Sequence, residues 1–139
     1  MKFWDSSAIA PLLVKEADSG LREDQLRHDP VMLVWFGTPA ELESAICRRV
    51  REKKMDETNA QRARDRLGVL AASWIEVQAT PVVRARALRL LRVHALRAAD
   101  AFQLAAALVA CRDQPAGHSF LSGDARLLHA ARLEGFEVG

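Results

Sequence analysis

Four acidic residues, Asp5, Glu41, Asp100 and Asp124, stand in mostly apolar or small-residue surroundings, and three of them follow a run that reads as a buried β-strand. α/β proteins place their chemistry outside the carboxyl ends of such strands. In Phe3-Trp4-Asp5 the carboxylate ends a short apolar strand, and Ser119 to Asp124 repeats the pattern near the other end of the chain. Carboxylates held close together repel by roughly 4 kcal/mol per pair at about 4 Å and an effective dielectric near 20. A divalent metal ion is the simplest compensation. Hard oxygen ligands with no His or Cys nearby in sequence suit Mg²⁺, or Mn²⁺, rather than zinc. Ser7 and Ser122 lie beside the proposed ligands and could orient them or the waters of a metal, or could equally be turn hydroxyls that bond the local backbone.

Each acid also has a purely structural reading. Asp5 could cap the helix that follows it, and Asp124 could cap one beginning Ala125-Arg126-Leu127. Thr38-Pro39-Ala40-Glu41 is a capping box, with Thr38 as N-cap, Pro39 at N1 and Glu41 reaching back to a free backbone N–H. Glu43 competes with Glu41 for any functional role. Asp100 is the hardest to explain structurally, because a carboxylate in an Ala- and Leu-rich helix is costly unless it is paired or metal-bound; a salt bridge to Arg97 or a cap of the following helix are the structural alternatives.

The elements that must position these groups alternate along the chain. Apolar runs at Lys2 to Trp4, Val31 to Phe36, Trp74 to Val77, His118 to Leu121 and Phe136 to Val138 are separated by longer segments of helical periodicity. This is the pattern of a parallel sheet with helices on its faces. Ser6 or Ser7 can cap a first helix, with Pro11 near its first turn. Further helices are expected from Thr38 to Lys54, Glu57 to Ala72, Thr80 to His94, Ala98 to Cys111 and Ala125 to Leu133, the last ending at Gly135. The Ala98 helix is expected to be buried on most sides, and Trp35 and Phe36 are expected in the core.

At 139 residues, half of them hydrophobic, the chain has the size and core of one domain, residues 1–139. The formal charge of +2 says little about partners, but its distribution is uneven. Basic residues crowd into Arg48, Arg49, Arg51, Lys53 and Lys54. They recur at Arg84, Arg86, Arg89, Arg92 and Arg97 with no acidic residue between them. Either stretch could meet a polyanion or be a solvated helix face. Cys47 and Cys111 are too few and too far apart for a zinc site or a disulfide framework, and both are expected to be reduced and buried. None of the four His residues has paired ligand spacing. The first fifteen residues form neither a signal peptide core nor a membrane span, so a cytoplasmic protein with no membrane association is expected.

Four blocks, Asp5-Ser-Ser-Ala-Ile, Thr38-Pro-Ala-Glu41-Leu-Glu-Ser-Ala-Ile, Leu96-Arg-Ala-Ala-Asp100-Ala-Phe-Gln-Leu-Ala and Phe120-Leu-Ser-Gly-Asp124-Ala-Arg-Leu-Leu, together resemble the motifs of PIN domain nucleases. Among these the VapC-like toxins of toxin–antitoxin pairs are the most similar. The resemblance runs the length of the chain in the expected order. It implies a three-layer α/β/α fold whose parallel sheet of about five strands has the order 3-2-1-4-5. It also implies that Asp5, Glu41, Asp100 and Asp124 hold the metal, with Glu41 favoured over Glu43 and with Ser7 at the family's small hydroxyl position. A homodimer, and an antitoxin protein whose tail lies in a groove near the site, are further implications.

The chemistry such a site supports is metal-assisted hydrolysis of a phosphodiester, and the resemblance implies RNA as substrate, cut to 5′-phosphate and 3′-hydroxyl ends. Arg48, Arg49, Arg51, Lys53, Arg97 and Arg126 would then position the RNA backbone. A competing reading is a domain that binds RNA or an antitoxin without cutting, its carboxylates being structural. A haloacid-dehalogenase-type phosphatase would need a second Asp two residues after the first, where Ser7 stands. A phospho-receiver would need a pair of acids at the end of the first strand.

Overall fold

The computed structural model describes residues 1–139. Its strands are β1 (Lys2–Trp4), β2 (Leu33–Trp35), β3 (Ile75–Val77), β4 (Ser119–Leu121) and β5 (Glu137–Val138). Its helices are α1 (Ser6–Leu13), α2 (Ser19–His28), α3 (Thr38–Arg51), α4 (Glu57–Ala71), α5 (Pro81–Val93), α6 (Ala98–Ala110) and α7 (Ala125–Glu134). All strand pairings are parallel, and the sheet has the order β3-β2-β1-β4-β5. The expected α/β class and strand order are therefore what the chain adopts.

Strand alternation makes the layers. Phe3, Trp35 and Phe120 face one side, where they pack with α5, α6 and α7, and Trp4, Val34 and Leu121 face the other, against α1, α3 and α4. Register keeps like faces together: Phe3 pairs with Phe120 across β1 and β4, and their rings stack at 5.4 Å. A slip of one residue would turn every one of these side chains to the wrong face. Strand order reverses at β1, which has β2 on one side and β4 on the other. The crevice beyond the carboxyl ends of β1 and β4 is thus the topological switch point where open α/β sheets bind ligands.

Several local expectations are corrected. Helix α2 was not anticipated, because its sequence, Ser-Gly-Leu-Arg-Glu-Asp-Gln-Leu-Arg-His, has no apolar stripe; its buried residues are Ser19 and Arg22. The N-cap of α1 is Asp5 itself, so the helix begins at Ser6 and Pro11 lies inside it rather than near its first turn. The N-cap of α3 is Gly37 and not Thr38, whose side chain is fully buried and turned to another partner. Trp35 is in the core, stacked on Phe102 at 5.4 Å, whereas Phe36, just past the end of β2, is 52% exposed. Cys111 is buried and Cys47 only half-buried; both are free thiols. No helix is long and apolar enough to cross a membrane.

The packing predicts opposite outcomes for two phenylalanines. Phe120→Ala removes a fully buried ring that touches Phe3 and Phe136 and should cost about 3–5 kcal/mol of unfolding free energy. Phe36→Ala should stay within about 0.5 kcal/mol. Urea denaturation of the two variants checks the assignment, and equal losses would contradict it.

Candidate active site

The four carboxylates gather at the carboxyl edge of the sheet because each belongs to the start of a helix on that edge. Asp5 caps α1 directly after β1, Asp124 caps α7 just beyond β4, and Glu41 and Asp100 occupy the first turns of α3 and α6. Asp5 lies deepest, 3% exposed. Its Oδ2 accepts from the Ser7 N–H at 3.3 Å, from the Ser7 hydroxyl, and from the Ser122 hydroxyl at 2.8 Å. Burial raises its pKa, and these hydrogen bonds work against the rise. The same hydroxyls also serve the backbone: Ser7 Oγ accepts from the Gly123 N–H at 2.8 Å, and Ser122 Oγ from the Asp124 N–H at 3.0 Å. These serines thus bond the Asp5 carboxylate and the local backbone at once.

Glu41 makes no capping box. Its Oε2 accepts from the Gln103 amide, whose nitrogen also donates to Thr38 Oγ1 at 3.1 Å. Burial raises the Glu41 pKa, hydrogen bonds from Gln103 and Ser6 oppose the rise, and the charges of Asp5 and Asp100 reinforce it. Glu43 points elsewhere, into an ion pair with Arg64 at 2.9 Å. Asp100 does not cap α6, which starts after Arg97, and forms no salt bridge with it. Its pKa is raised by burial and by the charges of Asp124 and Asp5, with only Arg97 lowering it. Asp124 keeps a firm structural role, its Oδ1 accepting from the Arg126 and Leu127 N–H groups at 2.8 and 3.2 Å.

An open cleft joins this edge to solvent, and Arg48, His94, Arg97, Asp100, Asp124 and Arg126 line it. Arg48 also borders the recess that holds Ser7 and Glu41, so it stands between the two halves of the acidic edge. The other basic residues singled out in the sequence are less well placed. Arg49 lines the same recess but is paired with Glu16, while Arg51, at the end of α3, and Lys53, just beyond it, line neither space. In the second basic stretch, Arg86 pairs with Asp113 and Arg89 with Glu134 at 2.8 Å, acids brought in from distant parts of the chain. Two residues on this edge carried no readable sequence signal. Arg22, buried in α2, donates to the Ser122 carbonyl at 2.9 Å, and His94 meets Glu134 at 2.7 Å on the cleft wall.

Neither a family model nor a curated protein sequence matches the chain. Solved structures do. PAE2754 from Pyrobaculum aerophilum superposes with a TM-score of 0.69 at 17% identity, over 99% of this chain and 87% of that one. VapC20 of Mycobacterium tuberculosis, described as a toxin cleaving the sarcin–ricin loop, gives 0.66 at 18% identity over 98% and 96%. VapBC2 from Rickettsia felis, bound to a DNA fragment from their promoter, gives 0.66 at 9% identity over 99% and 96%. The chain has the PIN-like fold. At these identities the likeness is one of fold.

Whether the edge of this PIN-like fold suits a metal rests on its donors. They are carboxylates without thiolate, the one imidazole on the cleft wall, His94, being taken by Glu134, and Asp5, Glu41 and Asp100 are all pushed above their ordinary values. Such a set has the donor chemistry of a hard divalent-cation site, and a cation there would relieve repulsion that Arg22 and Arg97 offset only in part. No three His, Cys, Asp or Glu side chains, however, are gathered closely enough to hold one ion as they stand.

The raised carboxyl of Asp100 carries a signed prediction. Its folded-state pKa lies above the unfolded one, so its contribution to stability is full below the ordinary carboxylate range and is lost as pH rises through the folded value. Asp100→Asn in EDTA should therefore melt higher than the parent near pH 7. The gain should shrink toward zero near pH 4. A variant that melts lower at pH 7, or a gain that does not depend on pH, would overturn the electrostatic reading.

Proposed function

We propose that the protein is a metal-dependent endoribonuclease, the toxin of a toxin–antitoxin pair, cutting RNA to 5′-phosphate and 3′-hydroxyl ends. The observation that carries this reading is the placement of four carboxylates, three of them with raised pKa values, along the switch-point edge of the sheet beneath a rim of exposed arginines. The motif resemblance and the shared fold with VapC20 and VapBC2 support it.

In this reading Asp5, Glu41, Asp100 and Asp124 hold one or two Mg²⁺ or Mn²⁺ ions, with Ser7 and Ser122 orienting Asp5. The bound metal supplies an acidified water and offsets charge on the phosphate and the leaving oxygen. The rest falls to the chain. Arg48, Arg97 and Arg126 bind the RNA backbone beside the cleft, with Arg49, Arg51 and Lys53 left to more distant phosphates. The Ser7 and Ser122 hydroxyls favour the charged form of Asp5 against the rise that burial imposes, and no side-chain nucleophile is required. RNA, a cognate antitoxin and a second copy of the chain in a homodimer are the partners, and the cytoplasm is the compartment.

A second reading, a non-cleaving domain that binds RNA or an antitoxin, is favoured by two observations: the carboxylates do not meet at a single point as they stand, and two of them cap helices. One assay separates the two. Purified protein and an Asp5→Asn, Asp100→Asn double variant are incubated with labelled total RNA and Mg²⁺, Mn²⁺ or EDTA. Discrete cuts that need metal, and that the variant makes more than about 100-fold more slowly, are expected; that factor is the most that loss of an outer partner of a metal ligand ordinarily costs. Cuts made equally by the variant, or none at all, would support the binding reading.

The arginine rim makes a separate prediction. With the double variant as a binding-only form, RNA affinity should fall steeply with salt. Each of Arg48→Ala, Arg97→Ala and Arg126→Ala should lower the slope of log affinity against log salt by about 1. Slopes untouched by all three substitutions would remove these residues from the RNA path.

A further inference from the structure

Gln103 is the one uncharged polar side chain of α6 sealed in the core, with no exposure to solvent. A buried amide among alanines and leucines is expensive unless its hydrogen-bonding groups are all used. Gln103 uses only half of its own. Its nitrogen donates to Glu41 Oε2 and to Thr38 Oγ1, while its Oε1 is buried without a partner. The orientation is fixed by chemistry, because a carboxylate only accepts and the NH₂ end must face it. An unsatisfied oxygen is thus tolerated at the centre of the fold in order to present two N–H groups to the first turn of α3.

We propose that Gln103 is the positioning residue for Glu41, fixing that carboxylate for metal binding. The inference rests on the reading of Glu41 as a metal ligand given above. Asp100 and Gln103 are three residues apart in one helix and therefore share a face. A single rigid element thus carries one carboxylate and holds a second, and Thr38, fully buried at the start of α3, anchors the same amide from the other side. The triangle Thr38–Gln103–Glu41 ties α3 to α6 across the acidic edge. Outer partners of this kind set the direction of a ligand's lone pairs, and their loss ordinarily weakens metal binding by about 10–100-fold.

The test is Mn²⁺ affinity of the full chain, followed by the electron paramagnetic resonance of free Mn²⁺, together with thermal melting in EDTA. Gln103→Met keeps volume and burial but has neither donor nor stranded oxygen. It should bind Mn²⁺ about 10–100-fold more weakly while melting no lower than the parent. Gln103→Asn keeps the amide but is one methylene too short to reach Glu41, and it should show the same loss of affinity; it decides the matter if the Met variant folds poorly. A double-mutant cycle then asks through which residue Gln103 acts. In a Glu41→Gln background, Gln103→Met should produce no further loss of affinity. Unchanged Mn²⁺ binding in both Gln103 variants, or full additivity with Glu41→Gln, would overturn the proposal and leave Glu41 as a ligand untouched. A parent protein that takes up no Mn²⁺ would overturn the metal site and the proposal with it.

Discussion

The pairing of β1 with β4 is the constraint on which the rest of the acidic edge depends. The Asp5 N–H donates to the Leu121 carbonyl at 3.0 Å, which aligns the ends of two strands that are far apart in sequence. One residue further on, the Ser122 hydroxyl reaches the Asp5 carboxylate and also accepts from the Asp124 N–H. A single side chain therefore connects the carboxylate after β1 with the helix cap after β4. The stacked Phe3 and Phe120 rings one face below lock the register from which this follows. Loop closure over such a separation is costly in chain entropy, and only the buried sheet contacts on both sides of β1 repay it.

Helix termini and burial then act on the acids in opposite directions. All four lie at a helix N-cap or in a first turn, where the macrodipole favours negative charge by about 0.3–1 kcal/mol each. Burial opposes it, joined at Glu41 and Asp100 by the charges of neighbouring acids, and for Asp5, Glu41 and Asp100 the opposition wins. The structural and chemical readings of these residues are consequently not rivals. Asp5 and Asp124 cap helices with one oxygen and leave the other uncommitted. Glu41, for which capping was the leading alternative, does not cap at all.

Much of this is legible because short apolar runs and amphipathic or buried helices leave strong marks. The strands were found to within a residue or two, and α3 to α7 followed from their apolar faces. Helix α2 left no mark, since its contribution is a buried arginine rather than an apolar stripe. The cap of α3 was misplaced by one residue because the Thr38 hydroxyl, a good cap in isolation, is taken by Gln103 from another helix. The choice between Glu41 and Glu43 could not be read locally either. Arg64, twenty-one positions from Glu43, removes it from the edge by pairing with it. Long-range polar contacts are where local reasoning ends.

The arginines make the same point about charge. A run of basic residues without acids between them looked like a polyanion site, yet Arg86 and Arg89 are neutralised by Asp113 and Glu134. The residues that do stand at the cleft are Arg48 and Arg97, one from each basic stretch, and Arg126 from neither, so no single run supplies the rim. Their effect is positional: positive groups stand at the mouth and negative ones below. A phosphate drawn to the rim meets carboxylates beneath it, and the two repel unless positive charge lies between them. Attraction at the mouth with repulsion at the floor makes little sense for a surface that only binds polyanions. It is consistent where a cation and a phosphate are bound together, each lowering the electrostatic cost of the other.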